Sequence, residues 1–159
     1  MGQTPRGLNP LSGRDFSGDV TKDEAKQQVQ AYLSGHEVDS PGLNDKGLGG
    51  ASLELGDIYF EYLPEQAALK CNALIYRFRK PPNPAVIDAF YDEGTRTDTG
   101  GGEIDFQVES QSVFLARVYD RRVDAKTFAA ELDTLLAASH LWRNEVVVRV
   151  ADQAYGRKP

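Results

Sequence analysis

The segment 113–142 constrains the fold more than any other part of the chain. Residues 113–119 have the pattern of a β-strand, which we expect at an exposed sheet edge, and a long amphipathic helix follows. Asp124 is the predicted N-cap of this helix, and Val123 and Phe128 stand at the positions of a hydrophobic staple. One helix face is predicted to be buried, because apolar positions recur three or four residues apart. They are Phe128, Leu132, Leu135, Leu136, Ser139 and Trp142.

A second amphipathic helix is predicted near the start of the chain. Thr21 and Glu24 have the spacing of a capping box, which places a helix over about 22–34. Its apolar face holds Ala25, Val29, Tyr32 and Leu33. Residues 36–50 are rich in Gly, Asp, Ser, Pro and Asn and predict a loop, which is long for a compact domain.

The middle of the chain predicts four further strands and one short helix, from alternating and helical periods. Asn83 as N-cap and Pro84 at the first helical position begin a short helix that Gly94 ends. The third strand is apolar on both faces. Both faces are therefore expected to be covered, by a helix, by another subunit or by a client. The apolar positions of the strands are Leu53 and Leu55; Ile58, Phe60 and Tyr62; Leu69, Cys71, Ala73 and Ile75 opposite Leu74, Tyr76 and Phe78; and Ile104, Phe106 and Val108.

These elements predict an α+β fold in the order α-β-β-β-α-β-β-α, with helices against a twisted antiparallel sheet of about five strands. We expect residues 1–19 to be a disordered arm, 20–153 a single domain and 154–159 a flexible tail. Residues 144–153 fit a strand because of their valines, and fit a continued helix equally well.

Composition excludes several classes of function. The 159-residue chain carries a net charge of −6 without a compact basic stripe, which disfavours nucleic acid. Its apolar runs are too short to insert into a membrane, so we expect a cytoplasmic protein. Cys71 is the one cysteine, which excludes an internal disulfide and a cysteine-based zinc cluster.

Catalytic groups do not form a recognisable constellation in the sequence. His36 lies in the loop with Glu37 and Asp39 and could bind a divalent metal, although a solvated loop explains these residues better. The glycine runs 47–50 and 100–102 fit turns better than phosphate-binding loops. We therefore predict no enzyme, no metal site and no cofactor.

Two stretches resemble a known family. They are LELGDIYFEYLPEQAALKCNALI (53–75) and the run 101–142, in which a glycine pair precedes a short strand, a polar turn, a leucine-containing strand and a helix ending near a tryptophan. Together with the element order, they resemble the class I type III secretion chaperones of Gram-negative bacteria over residues 22–142. The resemblance implies a homodimer that binds an extended segment of a secreted effector and keeps it competent for export.

The resemblance also implies where each partner would bind. The client segment would contact the first helix and first strands near Val29, Tyr32, Leu33, Tyr59 and Leu63. The dimer would form through the second helix and fourth strand, at Val86, Ile87, Phe90, Tyr91, Phe106 and Val108. Two alternatives remain open: a protein-binding scaffold of the same fold with no secretion role, and a small-molecule or metal-dependent enzyme.

Overall fold

A computed structural model describes residues 18–156 of the chain. In chain order the elements are α1 (Lys22–Gly35), β1 (Leu48–Leu53), β2 (Gly56–Leu63), β3 (Ala68–Arg77), α2 (Pro84–Glu93), β4 (Glu103–Gln107), β5 (Ser112–Tyr119), α3 (Ala125–Leu141), a π-helical turn (Trp142–Val146) and α4 (Val147–Ala154). The predicted order of elements is confirmed, with the π-helical turn and α4 added after α3. No helix in the described range is both long and apolar enough to cross a membrane.

The five strands form one antiparallel sheet in the order β1-β2-β3-β5-β4. β5 pairs with β3 on one side and with β4 on the other. The predicted edge position of residues 113–119 is therefore wrong, because the hairpin from β4 places β4 outside β5. The two edge strands are β1 and β4.

Side-chain caps fix the starts of the first three helices, as the sequence predicts. The Thr21 hydroxyl accepts the backbone N–H of Glu24 at 3.1 Å, and the Glu24 carboxylate accepts that of Thr21 at 2.9 Å. Asn83 and Asp124 likewise accept backbone N–H groups two and three residues further on. Each cap satisfies helical donors that otherwise lack a partner.

The main core lies between the helices and one face of the sheet. Trp142 is fully buried there, and its ring stacks on that of Phe90 with centroids 6.4 Å apart. We call this face the helix side. The strand residues in the core have one parity along each strand and include Ile58, Phe60, Leu69, Cys71, Ala73 and Leu115.

Residues 144–153 are helical, although the sequence fits a strand and a helix equally well. Val146 and Val150 stand four positions apart and are almost fully buried, so helical spacing places both in the core. Packing thus overrides the preference of β-branched residues for strands. The cation of Arg149 also anchors α4, because it pairs with the Glu93 carboxylate of α2 at 2.8 Å.

Several predicted boundaries differ from the structure. β1 begins at Leu48, inside the predicted loop 36–50, while Leu55 lies in the turn before β2. Val108 lies one residue beyond β4. Gly18 and Asp19 donate backbone hydrogen bonds to Gln66 and Asp120. The rest of the predicted arm, residues 1–17, and residues 157–159 of the predicted tail lie outside the described range.

Candidate protein-interaction surfaces

The face of the sheet opposite the helices carries a strip of apolar side chains outside the main core. We call this face the open face. The Tyr59 and Phe114 rings meet edge to face there, with centroids 6.0 Å apart, and the Arg77 guanidinium lies 5.9 Å from the Tyr59 centroid. The open-face strip consists of Tyr59, Leu63, Leu74, Phe114 and Val118, which the strand register places on one side of three adjacent strands.

The predicted client-binding residues do not form one surface. Val29 and Leu33 are fully buried in the core, and Tyr32 retains only 4% of its surface. Tyr59 and Leu63 are partly exposed on the open face, across the sheet from α1. Helix α1 packs its apolar face inwards, so a client has no direct access to Val29 or Leu33 in this conformation.

Two members of the strip, Phe114 and Val118, were missed by sequence reasoning. Residues 113–116 form the continuous apolar run VFLA, which indicates a strand with apolar side chains on both faces. The edge position assigned to this strand obscured that signal. Leu74 was placed on the second face of the third strand from its alternation, and the structure agrees.

Polar groups lie at the centre of the open face. Lys70 Nζ and Asp105 Oδ2 form an ion pair at 2.8 Å, and Gln107 donates to the same oxygen at 2.9 Å. Partial burial opposes ionisation, yet these hydrogen bonds hold the pKa of Asp105 below its ordinary value. Asn72 is 4% exposed, and its carboxamide oxygen has no hydrogen-bond partner within residues 18–156.

An open cleft of about 470 Å³ adjoins this polar centre. Ala116 lies in its floor, and we call it the Ala116 cleft. Ala116 pairs with Asn72 on one side and with Glu103 on the other. The remaining lining residues are Lys70, Gly101, Ile104, Asp105, Arg117 and Val118.

The predicted dimer residues divide into buried and exposed groups. Val86 and Phe90 belong to the core, whereas Tyr91 is 44% and Val108 71% exposed. Ile87 and Phe106 are half-buried. The Tyr91 hydroxyl accepts the Phe106 backbone N–H at 3.0 Å and so holds α2 against β4.

An exposed aromatic surface continues from these residues, and we call it the β4 edge patch. The Phe78 ring lies 6.3 Å from Phe106 and 4.9 Å from Tyr76. Tyr76 is 43% exposed. The β4 edge patch consists of Tyr76, Phe78, Tyr91, Phe106 and Val108.

His36, the histidine that the sequence suggested as a possible metal ligand, links two helices. His36 Nε2 lies 3.0 Å from Asp133 Oδ1, which also accepts the Tyr32 hydroxyl at 2.8 Å, so the three side chains join α1 to α3. Burial, followed by the hydrogen bond to Asp133, raises the pKa of Tyr32. Burial likewise raises the pKa of the Cys71 thiol. Within residues 18–156, no group of three or more His, Cys, Asp or Glu side chains is placed to hold a metal ion.

The last residue of α2, Glu93, is a buried carboxylate. Glu93 pairs with Arg96 at 3.0 Å and with Arg149 at 2.8 Å, and it accepts the Thr97 hydroxyl. Hydrogen bonds from Thr97, then from the two arginines, hold its pKa below the ordinary value although burial opposes them. Through its pair with Arg149, Glu93 joins α2 to α4.

Two solved structures are similar to this fold. A chain of the ExsC–ExsE complex matches with a TM-score of 0.64 and 12% sequence identity, covering 79% of this chain and 96% of that chain. A chain of the HopA1–SchA chaperone–effector complex matches with a TM-score of 0.55 and 13% identity, covering 75% and 92%. No protein-family model and no curated protein matches the sequence significantly. The chain has a class I type III secretion chaperone-like fold, as the resemblance in its sequence predicted.

Proposed function

We propose that this protein is a non-catalytic chaperone that holds an extended segment of a secreted client in the cytoplasm and keeps it competent for export. One observation carries the proposal: the open-face strip is an apolar surface on a sheet face that the main core does not use. Val118 of this strip is 51% exposed and Tyr59, Leu63 and Leu74 are half-buried, whereas Phe114 is buried beneath its neighbours. A partly open apolar surface on a sheet face supports a site for a protein partner. The fold likeness to a chaperone–effector complex supports the same class of partner.

The geometry suits an extended client better than a globular one. Side chains of an extended segment that point to the sheet alternate with side chains that point away. Every second residue can therefore contact Tyr59, Leu74 or Val118, which are half-buried or exposed. β1 is an edge strand, and only its first residue, Leu48, is hydrogen-bonded to Asn44 in the described range. The remainder of that edge can therefore pair with a client backbone.

We expect Leu63→Asp and Tyr59→Asp to weaken client binding at least tenfold, because each places a charge where apolar side chains would pack. The client is first obtained by copurification from the native host, and affinity is then measured by calorimetry with the purified client segment. Ala137→Asp, at an exposed position of α3, is the matched control and should leave affinity unchanged. Equal effects of all three substitutions would exclude the open face as the client site.

Measurements on the same complex distinguish the proposed chaperone from the alternative hypothesis, a scaffold module. A chaperone keeps its client segment extended, so backbone amides of that segment should exchange rapidly with deuterium wherever they do not pair with β1. A scaffold module would bind a client that retains its own fold and its own protected amides.

The dimer is a second part of the proposal and uses the β4 edge patch. Aromatic side chains are favoured at the centres of protein interfaces. This patch contains four of them, and Val108, two residues after Phe106, is 71% exposed. Val86 and Phe90, which are buried in the core, would pack beneath the patch. Phe90→Asp therefore tests folding, because Phe90 is a core residue in a single chain.

We expect Val108→Asp to convert a dimer to a monomer at protein concentrations of tens of micromolar, measured by light scattering after gel filtration. A buried unpaired carboxylate at the interface would oppose association by several kcal/mol. Val148→Asp is the control, because Val148 is similarly exposed, at 63%, on α4. A wild-type protein that is strictly monomeric would remove the dimer from the proposal.

A further inference from the structure

Two contacts hold the Arg77 side chain at one end of the open-face strip. Its Nε–H donates to the Ser112 hydroxyl at 2.9 Å, and its guanidinium carbon lies 5.9 Å from the centroid of the Tyr59 ring. Ser112 is fully buried, and its own hydroxyl donates to the Ser110 carbonyl oxygen at 2.9 Å. These contacts orient a long side chain, so the guanidinium is preorganised before any partner binds.

The outer nitrogens of Arg77 are free for a partner. Arg77 is exposed, and within residues 18–156 it forms no ion pair and donates one side-chain hydrogen bond, the bond to Ser112. Among the described strand residues, Lys70 is the other cation on the open face, and it already pairs with Asp105 at 2.8 Å. A guanidinium whose Nε is occupied still offers one N–H from each Nη, a pair that matches the two oxygens of a carboxylate.

The charge at this end of the sheet is weakly positive. Arg79 and Lys80 follow Arg77 in the chain and are exposed. The strand register places Asp57 at the same end, and Glu109 lies there in the β4–β5 turn. None of the ion pairs formed within residues 18–156 involves these five residues, and they comprise three positive and two negative charges. An anion is therefore attracted here, although the whole chain has a net charge of −6.

We propose that Arg77 binds the carboxylate of an aspartate or glutamate in the client segment. The inference rests on the proposed function, because it takes the open face as the client site, and it adds a polar requirement at one end of an apolar strip. The carboxylate accepts one N–H from each Nη of Arg77. A client that lies over the strip excludes water from this pair, which makes the pair stronger than an exposed surface ion pair.

The position of Arg77 predicts the sequence pattern of a preferred client. The bulge between Leu74 and Tyr76 shifts the alternation of β3, so that Arg77 lies on the open face opposite Ser112. In an extended client, side chains that point to the sheet recur every second residue, about 7 Å apart. An apolar residue over Leu74 or Tyr59 therefore brings the residue two positions away to Arg77. We expect a preferred client to carry an apolar and an acidic residue two positions apart.

Peptide selection tests this pattern without the native client. Random linear peptides displayed on phage are selected on the wild-type protein and on Arg77→Gln. We expect enrichment of an acidic residue two positions from an apolar one on the wild type, and loss of the acidic residue on Arg77→Gln. Arg121→Gln is the matched control, because Arg121 is exposed after β5, at the opposite end of the sheet, and it should select the same peptides as the wild type.

A selected peptide then measures the pair directly by calorimetry. Its acidic residue is replaced by the corresponding amide, and both peptides are titrated into each variant. We expect the wild type to prefer the acidic peptide about tenfold, and Arg77→Gln to bind the two peptides equally. Arg77→Lys should retain an intermediate preference, because it keeps the charge and loses the paired N–H groups. Asp57→Asn should increase the preference, since it removes a like charge from the same end of the sheet.

Ser112 is a positioning residue in this proposal. Ser112→Ala keeps the charge of Arg77 and removes the oxygen that orients it. The preference for the acidic peptide should therefore fall about threefold, while the affinity for the amide peptide stays unchanged. A merely structural role of Ser112 would lower both affinities equally and leave the preference as it is in the wild type.

The outcomes distinguish this carboxylate site from the client surface. Selected peptides without an acidic residue, or an acidic preference that survives Arg77→Gln, would overturn the role of Arg77. If Leu63→Asp still abolishes binding of those peptides, the open face remains the client surface. If the wild type selects no peptide, or if Leu63→Asp leaves the binding of selected peptides unchanged, the client surface is wrong and the role of Arg77 is overturned with it.

Discussion

Trp142→Ala is expected to lower the free energy of unfolding by about 3–5 kcal/mol. The indole is fully buried, stacks on Phe90 and donates its Nε1–H to the Asp98 carbonyl oxygen at 2.8 Å. Removing it leaves a cavity between α2, α3 and the sheet and leaves that carbonyl without its donor. A domain of this size has about 5–15 kcal/mol of total stability, so the loss would be a large fraction of it.

Urea denaturation followed by circular dichroism measures this effect. Trp142→Phe is the control, because it keeps most of the apolar volume and loses the hydrogen bond and part of the ring. It should cost clearly less than alanine. If alanine costs under about 1 kcal/mol, Trp142 does not join the helices to the core as the structure indicates.

Glu93→Ala is expected to lower the free energy of unfolding by about 2–3 kcal/mol at neutral pH, because a buried acceptor of charged hydrogen bonds is lost. Arg96 and Arg149 are each more than half exposed, so water can solvate them after the loss. The cost is therefore expected to be smaller than for a fully buried ion pair. We expect α4 to exchange its amide hydrogens faster than α3 in this variant, since α4 loses its polar attachment to α2.

The Glu93 contribution should also depend on pH in one direction. Its pKa in the folded protein lies below the ordinary value of 4.5, so the unfolded chain binds the proton more readily than the folded one. The stabilisation is fully present above pH 4.5 and is lost as the pH falls through the lower, folded-state pKa. The stability difference between wild type and Glu93→Gln should shrink over that acidic range. A difference that stays constant from neutral pH to pH 2 would contradict the assignment.

Local features of the fold were predictable because neighbouring residues determine them. The caps at Thr21, Asn83 and Asp124 need only side chains and backbone groups within three residues of each other. The buried face of α3 follows from helical spacing alone. The order of elements, and from it the fold class, rests on such local signals.

The interaction surfaces were only partly predictable. Alternation along β2 separated Tyr59 and Leu63 from the core residues Ile58 and Phe60, and the structure agrees. Alternation does not indicate which strands are neighbours, so it missed the Phe114 ring beside Tyr59. The family resemblance grouped Val29 and Leu33 with Tyr59, although α1 lies on the other side of the sheet.

The sequence by itself determined the helices, most of the strand positions and their buried faces, because hydrophobic periods and capping act over a few residues. Only the tertiary structure decided that β5 is an inner strand, that residues 144–153 are helical and that Glu93 is buried between two arginines. These outcomes depend on contacts between residues far apart in the chain, such as Glu93 and Arg149. Long-range packing can override the local preference of valine for strands. Such packing cannot be predicted from the pattern of residues within one segment.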